Sequence, residues 1–469
     1  MPERTSFAPR EQARAAESAQ PEVAATATPA KAGAHREAIL YRALNGAGAG
    51  PAPVAEVRER AREAYERLEL PTWRRSGFWT TSLRDLDLDA LTERTTTSVP
   101  AFVDEALGDQ ELAGVIVQNG SSTVRVELDP ELAERGVILC ALEDAPAELV
   151  ERYFSKRLTA DRDKLEAAAA AFWAGGAFLY VPRNVVVDKP FQVVYAIDEA
   201  GTAQYGHTLA IGDEGSDFRL RHYKLAPDLD GPALHAGQVE LYLEANARAR
   251  FAPVQDWGGG QVVDVSTQVV EVGRDAYVHW LPSYLGGSLT RQHLELAVAE
   301  PGGDMKFRGI FFAEREELLD LFAVDLHETG PSGGDVHWRG AATGKSKASF
   351  EGLIQINPGA QQSHTYLQIH SMMLSPRAKV DAIPSVLVSA DDVSASHGGT
   401  VGELDEALIF YMRTRGLTRA EAVHVIVEGF FEPLIGELDD EVLEDLVRDR
   451  ITEKLAAAAA DVEAYASAR

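Results

Sequence analysis

The chain has 469 residues, and its 45 Lys and Arg against 73 Asp and Glu give a formal net charge of -28 at pH 7. This length exceeds one small core, so we expect one large repetitive domain with additions, or roughly two to three domains. The negative charge repels nucleic acid and anionic membranes, which argues against both as partners. Cys140 is the single cysteine, which excludes an internal disulfide and any cysteine-rich cluster site built by this chain alone.

The N-terminal segment predicts a disordered tail over residues 1–37. It is rich in Ala, Glu, Pro, Thr and Arg and poor in large apolar side chains, so it cannot bury enough surface to offset its ordering entropy. No apolar stretch follows its charges as in a secretion signal, and no run in the chain approaches the roughly 20 residues that cross a bilayer. We therefore expect a cytoplasmic protein.

Residues 38–175 predict an α/β region. Apolar residues recur at helical spacing at its start, and Asn119-Gly120 predicts the turn of a β-hairpin. Apolar neighbours on both sides of Cys140 indicate a buried apolar filler rather than a reactive thiol. The run DRDKLEAAAAAFWAGG predicts a helix that ends at paired glycines.

Residues 176–402 read as a succession of short β-rich runs, each closed by Gly, Asp, Asn or Pro, with hardly a helical segment among them. Beneath them a turn residue followed by a strand recurs at intervals of about 27 to 43 residues, which is typical of solenoids and propellers. One such unit cannot bury its apolar face alone, so neighbours must stack on a continuous core. A propeller would repeat more regularly and carry blade signatures, so we favour a β-solenoid.

From residue 403 to residue 469 the apolar spacing becomes helical, with a predicted helix start at Thr418. The first of these helices is predicted to place four apolar residues near one face, namely Leu404, Leu408, Phe410 and Tyr411. Such helices need a partner for their apolar sides, which is either the end of the β-stack or another chain.

Two motifs that suggest catalysis or nucleotide binding do not fit on inspection. Residues 340–346, GAATGKS, are one residue short of a P-loop and lead into a predicted strand, whereas phosphate binding needs a following helix. Asp391 and Asp392 are adjacent on a predicted strand, so they point to opposite faces and cannot act as a pair. HExxH and GxSxG are absent. We assign no catalytic or cofactor-binding residue, which favours a binding or scaffold role.

One histidine lies at the predicted junction between the β-region and the helices. His397 is followed by Gly398 and Gly399, which leave room for the close approach of a ligand or another backbone. In a stacked β-fold, His364 and His370 could align with it from an earlier coil. Spacing alone encodes no local metal site.

This same region carries a family resemblance. The segment from Phe350 to Leu434, which contains SASHGGTVGELDEALIFYMRTRG, resembles the SufB/SufD scaffold proteins of Suf iron–sulfur cluster assembly. Weaker likeness in GAFLYVPRNVVVDKPFQVVYAI and GQVELYLEANA extends the resemblance to about residues 40 to 455. Repeat and resemblance together predict a mainly β fold, a right-handed parallel β-helix (β-solenoid) flanked by N-terminal and C-terminal helical regions.

The resemblance is to the SufD side of this family. SufB chains carry a late cysteine and an acid-His-acid string where this chain has Ala395-Ser396-His397-Gly398, and some SufD members have a cysteine at the position of Ala395. The resemblance implies that His397 is a candidate iron–sulfur ligand at a subunit interface. It also implies a partner interface that includes Ser396, His397, Gly398, Tyr411, Arg413, Arg415 and Glu421.

The implied partners are a SufB-like paralogue and a SufC-like ABC ATPase docked on the C-terminal helices, with a homodimer when the chain is alone. The implied cofactor is a transient iron–sulfur cluster shared with the SufB-like partner, and this chain binds no nucleotide. Two alternatives stay open. One is a secreted-type β-helix carbohydrate-active enzyme with carboxylates at catalytic separation. The other is a SufB-like cluster acceptor, which the cysteine count disfavours.

Overall fold

The computed structural model describes residues 52–75, 79–83, 86–108 and 110–458. The predicted disordered tail, the helical spacing before residue 52 and the last eleven residues of the predicted C-terminal region lie outside these ranges.

Two sheets face each other across one core, and within the solenoid the chain crosses from one sheet to the other and back in each turn. The nine-stranded sheet contains β5 (Ile138–Cys140), β6 (Ala177–Val181), β8 (Ala203–Gly212), β10 (Ala233–Leu243), β12 (Val262–Val272), β15 (Leu289–Val298), β17 (Leu318–His327), β19 (Lys347–Ile356) and β21 (Lys379–Val388). The eleven-stranded sheet contains β3 (Gly114–Asn119), β4 (Ser122–Leu128), β7 (Phe191–Ala196), β9 (Asp217–Leu225), β11 (Arg248–Asp256), β13 (Tyr277–Trp280), β14 (Ser283–Tyr284), β16 (Asp304–Ala313), β18 (Gly333–Ala342), β20 (His364–Met373) and β22 (Ser394–Glu403). A separate hairpin pairs β1 (Thr72–Arg75) with β2 (Trp79–Ser82).

This arrangement confirms the mainly β fold, a β-solenoid of about eight turns with parallel strands. Along each strand alternate residues point into the space between the sheets, where Phe350, Ile354 and Trp338 are fully buried. Each coil covers the apolar face of the one before it, so one core runs the length of the stack.

The predicted hairpin is confirmed, because β3 and β4 pair antiparallel around Gly120. Gly120 has a φ of 56°, and a Cβ there would lie 2.5 Å from the carbonyl oxygen of Arg94. Only glycine fits this turn without strain. Because β3 also pairs in parallel with β7, the hairpin extends the eleven-stranded sheet beyond the first coil.

Helices cover part of the outer face of each sheet. Those of the N-terminal part are α1 (Ala52–Arg67), α2 (Ala101–Leu107), α3 (Pro130–Glu134), α4 (Ala147–Tyr153) and α5 (Lys164–Phe172), and α5 packs on β8, β10 and β12. Short 3-10 turns lie at Leu88–Ala90 and Leu142–Asp144. Cys140 is half-buried, and burial raises the pKa of its thiol to about 11, which fits an inert side chain.

The C-terminal helices are α6 (Glu406–Thr414), α7 (Arg419–Ile435) and α8 (Glu441–Ala457), and α7 packs on the outer face of β16 and β18. Thr418 caps α7 as predicted. The apolar face predicted for α6 is wrong. Leu404 is buried but precedes the helix, because Asp405 caps it; α6 then buries Ile409 and leaves Phe410 67% exposed.

The β-region was predicted to end at residue 402, with Ser396–Gly399 close to its boundary with the helices. Because β20 supplies a continuous ladder of backbone partners, β22 stays extended through both glycines to Glu403, and α6 begins at Glu406. Asp391 and Asp392 lie in the turn between β21 and β22 rather than on a strand. Among the helices of the described ranges, none combines the length and hydropathy needed to cross a bilayer.

Candidate functional site at the open end of the solenoid

The last coil of the solenoid consists of β21 and β22. β21 pairs with β19 and β22 pairs with β20, and among the described residues neither strand has a neighbour on its other edge. The side chains of this coil are correspondingly exposed, including Leu387 at 53%, Val388 at 41% and Val401 at 40%. Two strand edges with unpaired backbone N–H and C=O groups therefore end the stack.

His397 lies on the inner face of β22. It is in register with Leu367 on β20, which is in register with Val336 on β18, and both of these leucine and valine side chains are buried in the core. His397 continues this inward row at the open end, where it is exposed. A histidine in the row of core residues would be buried if another coil followed.

The inward neighbours of His397 leave space around its ring. They are Ala395 and Gly399, two positions away on either side. A Cβ at Gly399 would meet nothing closer than Pro384 Cγ at 3.8 Å and Ala382 Cβ at 3.9 Å. Packing within this chain therefore does not require glycine at position 399, and the space around the imidazole is open to another molecule.

The predicted interface residues beside His397 point the other way. Ser396 and Gly398 lie on the outer face, where Ser396 is in register with Tyr366 and a Cβ at Gly398 would lie 3.8 Å from Tyr366 Oη. Ser396, His397 and Gly398 thus present two different faces of the last strand. An edge-on partner would contact both faces.

His364 and His370 could have aligned with His397 in a stacked β-fold, but they do not share its face. Both lie on the outer face of β20, in register with Ser394 and Thr400, whereas His397 points inward. His370 Nδ1 and Thr400 Oγ1 are 2.6 Å apart, and burial beside Arg339 lowers the pKa of His370. Within the described residues, no group of three or more His, Cys, Asp and Glu could hold a metal ion.

His397 can supply one ligand to a metal, since a neutral imidazole binds iron and replaces thiolate in some iron–sulfur centres. With Ala395 two residues before it, this chain adds no thiolate at that place. Any metal centre at His397 would therefore take its remaining ligands from another molecule.

The residues predicted on the C-terminal helices form a second surface. Tyr411, Arg413 and Arg415 are exposed on or just after α6, and Arg415 Nη2 donates to Tyr411 Oη over 3.1 Å. Glu421 is occupied by the helix cap, because the backbone N–H of Thr418 donates to its Oε2 over 2.7 Å. All four predicted side chains are therefore exposed at this surface, and that of Glu421 also caps α7.

Two apolar features here have no counterpart in the predicted site. A groove of about 530 Å³ runs between the start of α7 and the end of α8, lined by Leu417, Val423, Val425, Leu455 and Ala456, among others. The exposed end of β21 is the other. The signal for it was the run SVLV with its two β-branched valines near the end of the β-region, since no further strand of the same sheet follows that could cover it.

The fold and the site thus define a β-solenoid with helical regions before and after it in the chain. Its last coil is open and carries one inward-facing histidine. Two family descriptions match this chain: "SUF system FeS cluster assembly, SufBD core domain" over residues 195–430 and "SufBD protein N-terminal region" over residues 48–193. The chain therefore belongs to the SufBD family.

Similar proteins carry the same family description. The iron-sulfur cluster assembly SufBD family proteins of Staphylococcus epidermidis and Staphylococcus haemolyticus are each 27% identical over 418 residues, which cover 85% of this chain and 88% of theirs. That of Staphylococcus saprophyticus is 27% identical over 390 residues, 79% of this chain and 84% of its own.

Proposed function

We propose that this chain is a non-catalytic, SufD-like scaffold subunit of a cytoplasmic Suf iron–sulfur cluster assembly complex. The single observation that carries the proposal is the open last coil with His397 on its inner face. Family membership supports cluster assembly as the process, and the geometry of the last coil supports a role shared between chains.

The free edges of β21 and β22 are the proposed contact with a SufB-like partner. Their backbone groups can pair with strands of a second chain, and the exposed Leu387 and Val388 would be covered by it. In the absence of that partner, the same edges would pair with a second copy of this chain.

A nascent iron–sulfur cluster is the proposed cargo at this contact. His397 would give it one imidazole ligand, and the SufB-like partner would give the others. Ala395 and Gly399 leave the inner face beside the ring free, so a cluster held there would be enclosed by two chains and shielded from water.

The surface of α6 is the proposed docking site of a SufC-like ATPase. Leu408, Phe410 and Tyr411 are apolar and exposed, beside the cationic Arg413 and Arg415. Nucleotide binding is assigned to that partner. In this chain the P-loop-like segment is the turn between β18 and β19, where the Ser346 hydroxyl is buried and donates to backbone carbonyls.

Co-expression with SufB-like and SufC-like partners, followed by gel filtration, tests the assembly. The wild-type chain is expected in a complex with both. Leu387→Arg on the open edge is expected to remove the SufB-like chain from the complex. Val186→Arg is the matched control, because Val186 is 51% exposed near the opposite end of the stack. Absence of any complex with the wild-type chain would refute the scaffold role.

His397→Ala in that complex tests the ligand role. Assembly is expected to survive, because the side chain is exposed, while iron and acid-labile sulfide in the purified complex fall several-fold. His364→Ala, also exposed but on the outer face, is the control and should retain the cluster. Equal cluster content in wild type and His397→Ala would show that His397 is not a ligand.

A further inference from the structure

The loop between α7 and α8, residues 436–440, lies on cationic side chains of the eleven-stranded sheet. Glu437 Oε2 accepts from Lys306 Nζ over 2.6 Å and from Arg308 Nε over 2.7 Å, both on β16. This loop therefore connects the helices to the outer face of the solenoid at β16, separately from the chain link at Glu403. Three strand pairings, β16–β18, β18–β20 and β20–β22, separate this contact from the last strand.

A first line of polar contacts runs from this loop toward β22. Arg308 Nη2 donates to Asp335 Oδ2 on β18 over 2.5 Å, and its Nη1 donates to the Asp335 carbonyl over 2.9 Å. His337 Nε2 lies 3.0 Å from Asp335 Oδ1, and the His337 ring packs edge-on against Tyr366 of β20 at 5.8 Å between centroids. Tyr366 borders Ser396 and Gly398.

A second line starts at Phe430, about two helical turns before Glu437. Arg339 on β18 donates to the backbone carbonyl of Phe430 in α7. Its neighbour in register on β20 is His370, which in turn is in register with Thr400 and hydrogen-bonded to it. The first line reaches β22 at Ser396 and Gly398, which flank His397, and the second line reaches it at Thr400, three residues further along the strand.

The residues of these two lines of contacts are bound tightly to their neighbours, so we expect them to move together. Arg308 is only 4% exposed and is fixed by Glu437, Asp335 and the Phe307 carbonyl at once. His337 and Arg308 hold the pKa of the Asp335 carboxyl well below its usual range, so it stays charged. A displacement of Glu437 therefore strains these contacts, which leave little room for adjustment. The nearest weakly held element is β22, which is paired along one edge only.

We propose that Arg308, Asp335, His337, Arg339 and His370 are positioning residues that couple the α7–α8 helices to the strand carrying His397. Under the proposed function, the docked ATPase would supply the displacement, and the coupling would change how β22 presents His397 to the partner. The coupling itself belongs to this chain alone, so it can be tested without any partner.

Hydrogen exchange of the isolated full-length chain, at a concentration at which gel filtration shows a monomer, tests the coupling. Glu437→Gln keeps the size of the side chain and removes its charge, and we expect the amides of β22 to exchange faster by about 2- to 30-fold. Asp439→Asn is the control in the same loop. Asp439 pairs with Arg250 over 2.7 Å, away from both lines, so β22 should exchange as in the wild type.

Asp335→Asn tests the alternative that Glu437→Gln affects β22 only because it destabilises the loop. It breaks the first line on the sheet, so β22 should loosen while α7 and α8 keep their wild-type exchange. Unchanged β22 exchange in both Glu437→Gln and Asp335→Asn, or an equal increase in Asp439→Asn, would overturn the coupling. Because no partner is present, these outcomes are separate from failure of the complex to assemble.

Discussion

The N-terminal and C-terminal parts of the chain are fixed to the solenoid by charges of opposite sign. Residues 152–157, the basic segment, lie on an acidic strip of the nine-stranded sheet formed by Glu240, Glu244, Glu271, Glu295 and Glu328. Residues 436–440, the acidic loop, lie on a basic strip of the eleven-stranded sheet formed by Arg219, Arg221, Arg250, Lys306 and Arg308. We call the basic segment and the acidic loop the two anchors. In each of them the backbone turns at a non-glycine residue with a positive φ, Ser155 in the basic segment and Asp439 in the acidic loop.

The two anchors differ in burial. The basic segment is held by Glu240, a fully buried carboxylate that accepts from Tyr242 Oη over 2.6 Å and from the Ser155 N–H over 2.9 Å and lies 2.9 Å from His207 Nε2. In the acidic loop, Asp439 is 61% exposed and only the pair of Arg221 and Asp440 is buried. Breaking the buried site of Glu240 would be costly, whereas in the half-exposed anchor the contacts of Asp439 can open at low cost. The half-exposed anchor is the one beside the proposed docking helices.

Glu240→Ala should have the largest effect on stability. It leaves His207, Tyr242 and the Ser155 N–H without their acceptor in a dry site, so we expect a loss of about 3–5 kcal/mol in the free energy of unfolding. Urea denaturation followed by circular dichroism measures it. Glu351→Ala, on the outer face of the same sheet, is the control and should cost less than about 1 kcal/mol. Equal losses of unfolding free energy in Glu240→Ala and Glu351→Ala would mean that the buried anchor contributes no more to stability than a carboxylate on the outer face.

Asp440→Ala should come next. Its carboxylate pairs with Arg221 over 2.7 Å through both oxygens, and it also caps α8 by accepting from the Leu443 N–H. We expect the free energy of opening of α7 and α8 to fall by about 2–4 kcal/mol. This would be seen as faster amide exchange of these helices with little change in the solenoid strands. Asp440→Asn keeps the cap and should lose about 1 kcal/mol less. A uniform loosening of the whole chain would contradict a separate C-terminal anchor.

The sequence predicted the architecture because alternation along each strand and the spacing of turn residues are local properties. The hairpin at Gly120 and the cap at Thr418 were likewise predictable, since each depends on a few adjacent residues. Stacking then follows from the need of every coil to cover the one before.

The register between coils was not predictable, and the site depends on it. Whether His397 points inward is decided by its pairing with Leu367, and a shift of one residue would reverse its face. Both anchors join residues more than 80 positions apart, so no local pattern reports them. Which apolar residues of α6 are exposed was not predictable, because a helical wheel shows apolar residues without showing whether the partner belongs to the same chain.

Glu166 on α5 predicts a pH dependence on the N-terminal side. Burial raises the pKa of its carboxyl to about 7, while the unfolded chain loses that proton near 4.5, so the folded state binds more protons between these values. Stability contributed by Glu166 therefore falls as the pH rises from about 4.5 to 7. Glu166→Gln should remove this slope and stabilise the chain by about 1–3 kcal/mol at pH 8. Exposed Glu148→Gln is the control, and an unchanged slope would refute the assignment.

Asp439→Ala should have the smallest effect, because its pairs with Arg250 and Arg219 are exposed to water and screened by salt. We expect a loss below about 1 kcal/mol that disappears in 1 M salt, against a loss for Glu240→Ala that salt barely changes. Thermal unfolding of both variants at low and high salt makes this comparison. If Asp439→Ala costs as much as Asp440→Ala, the positive φ at position 439 is held by the charge pairs and the loop is a rigid clamp. A loss that is small and salt-sensitive fits a loop in which the contacts of Asp439 can open while Glu437 and Asp440 stay paired with Arg308 and Arg221.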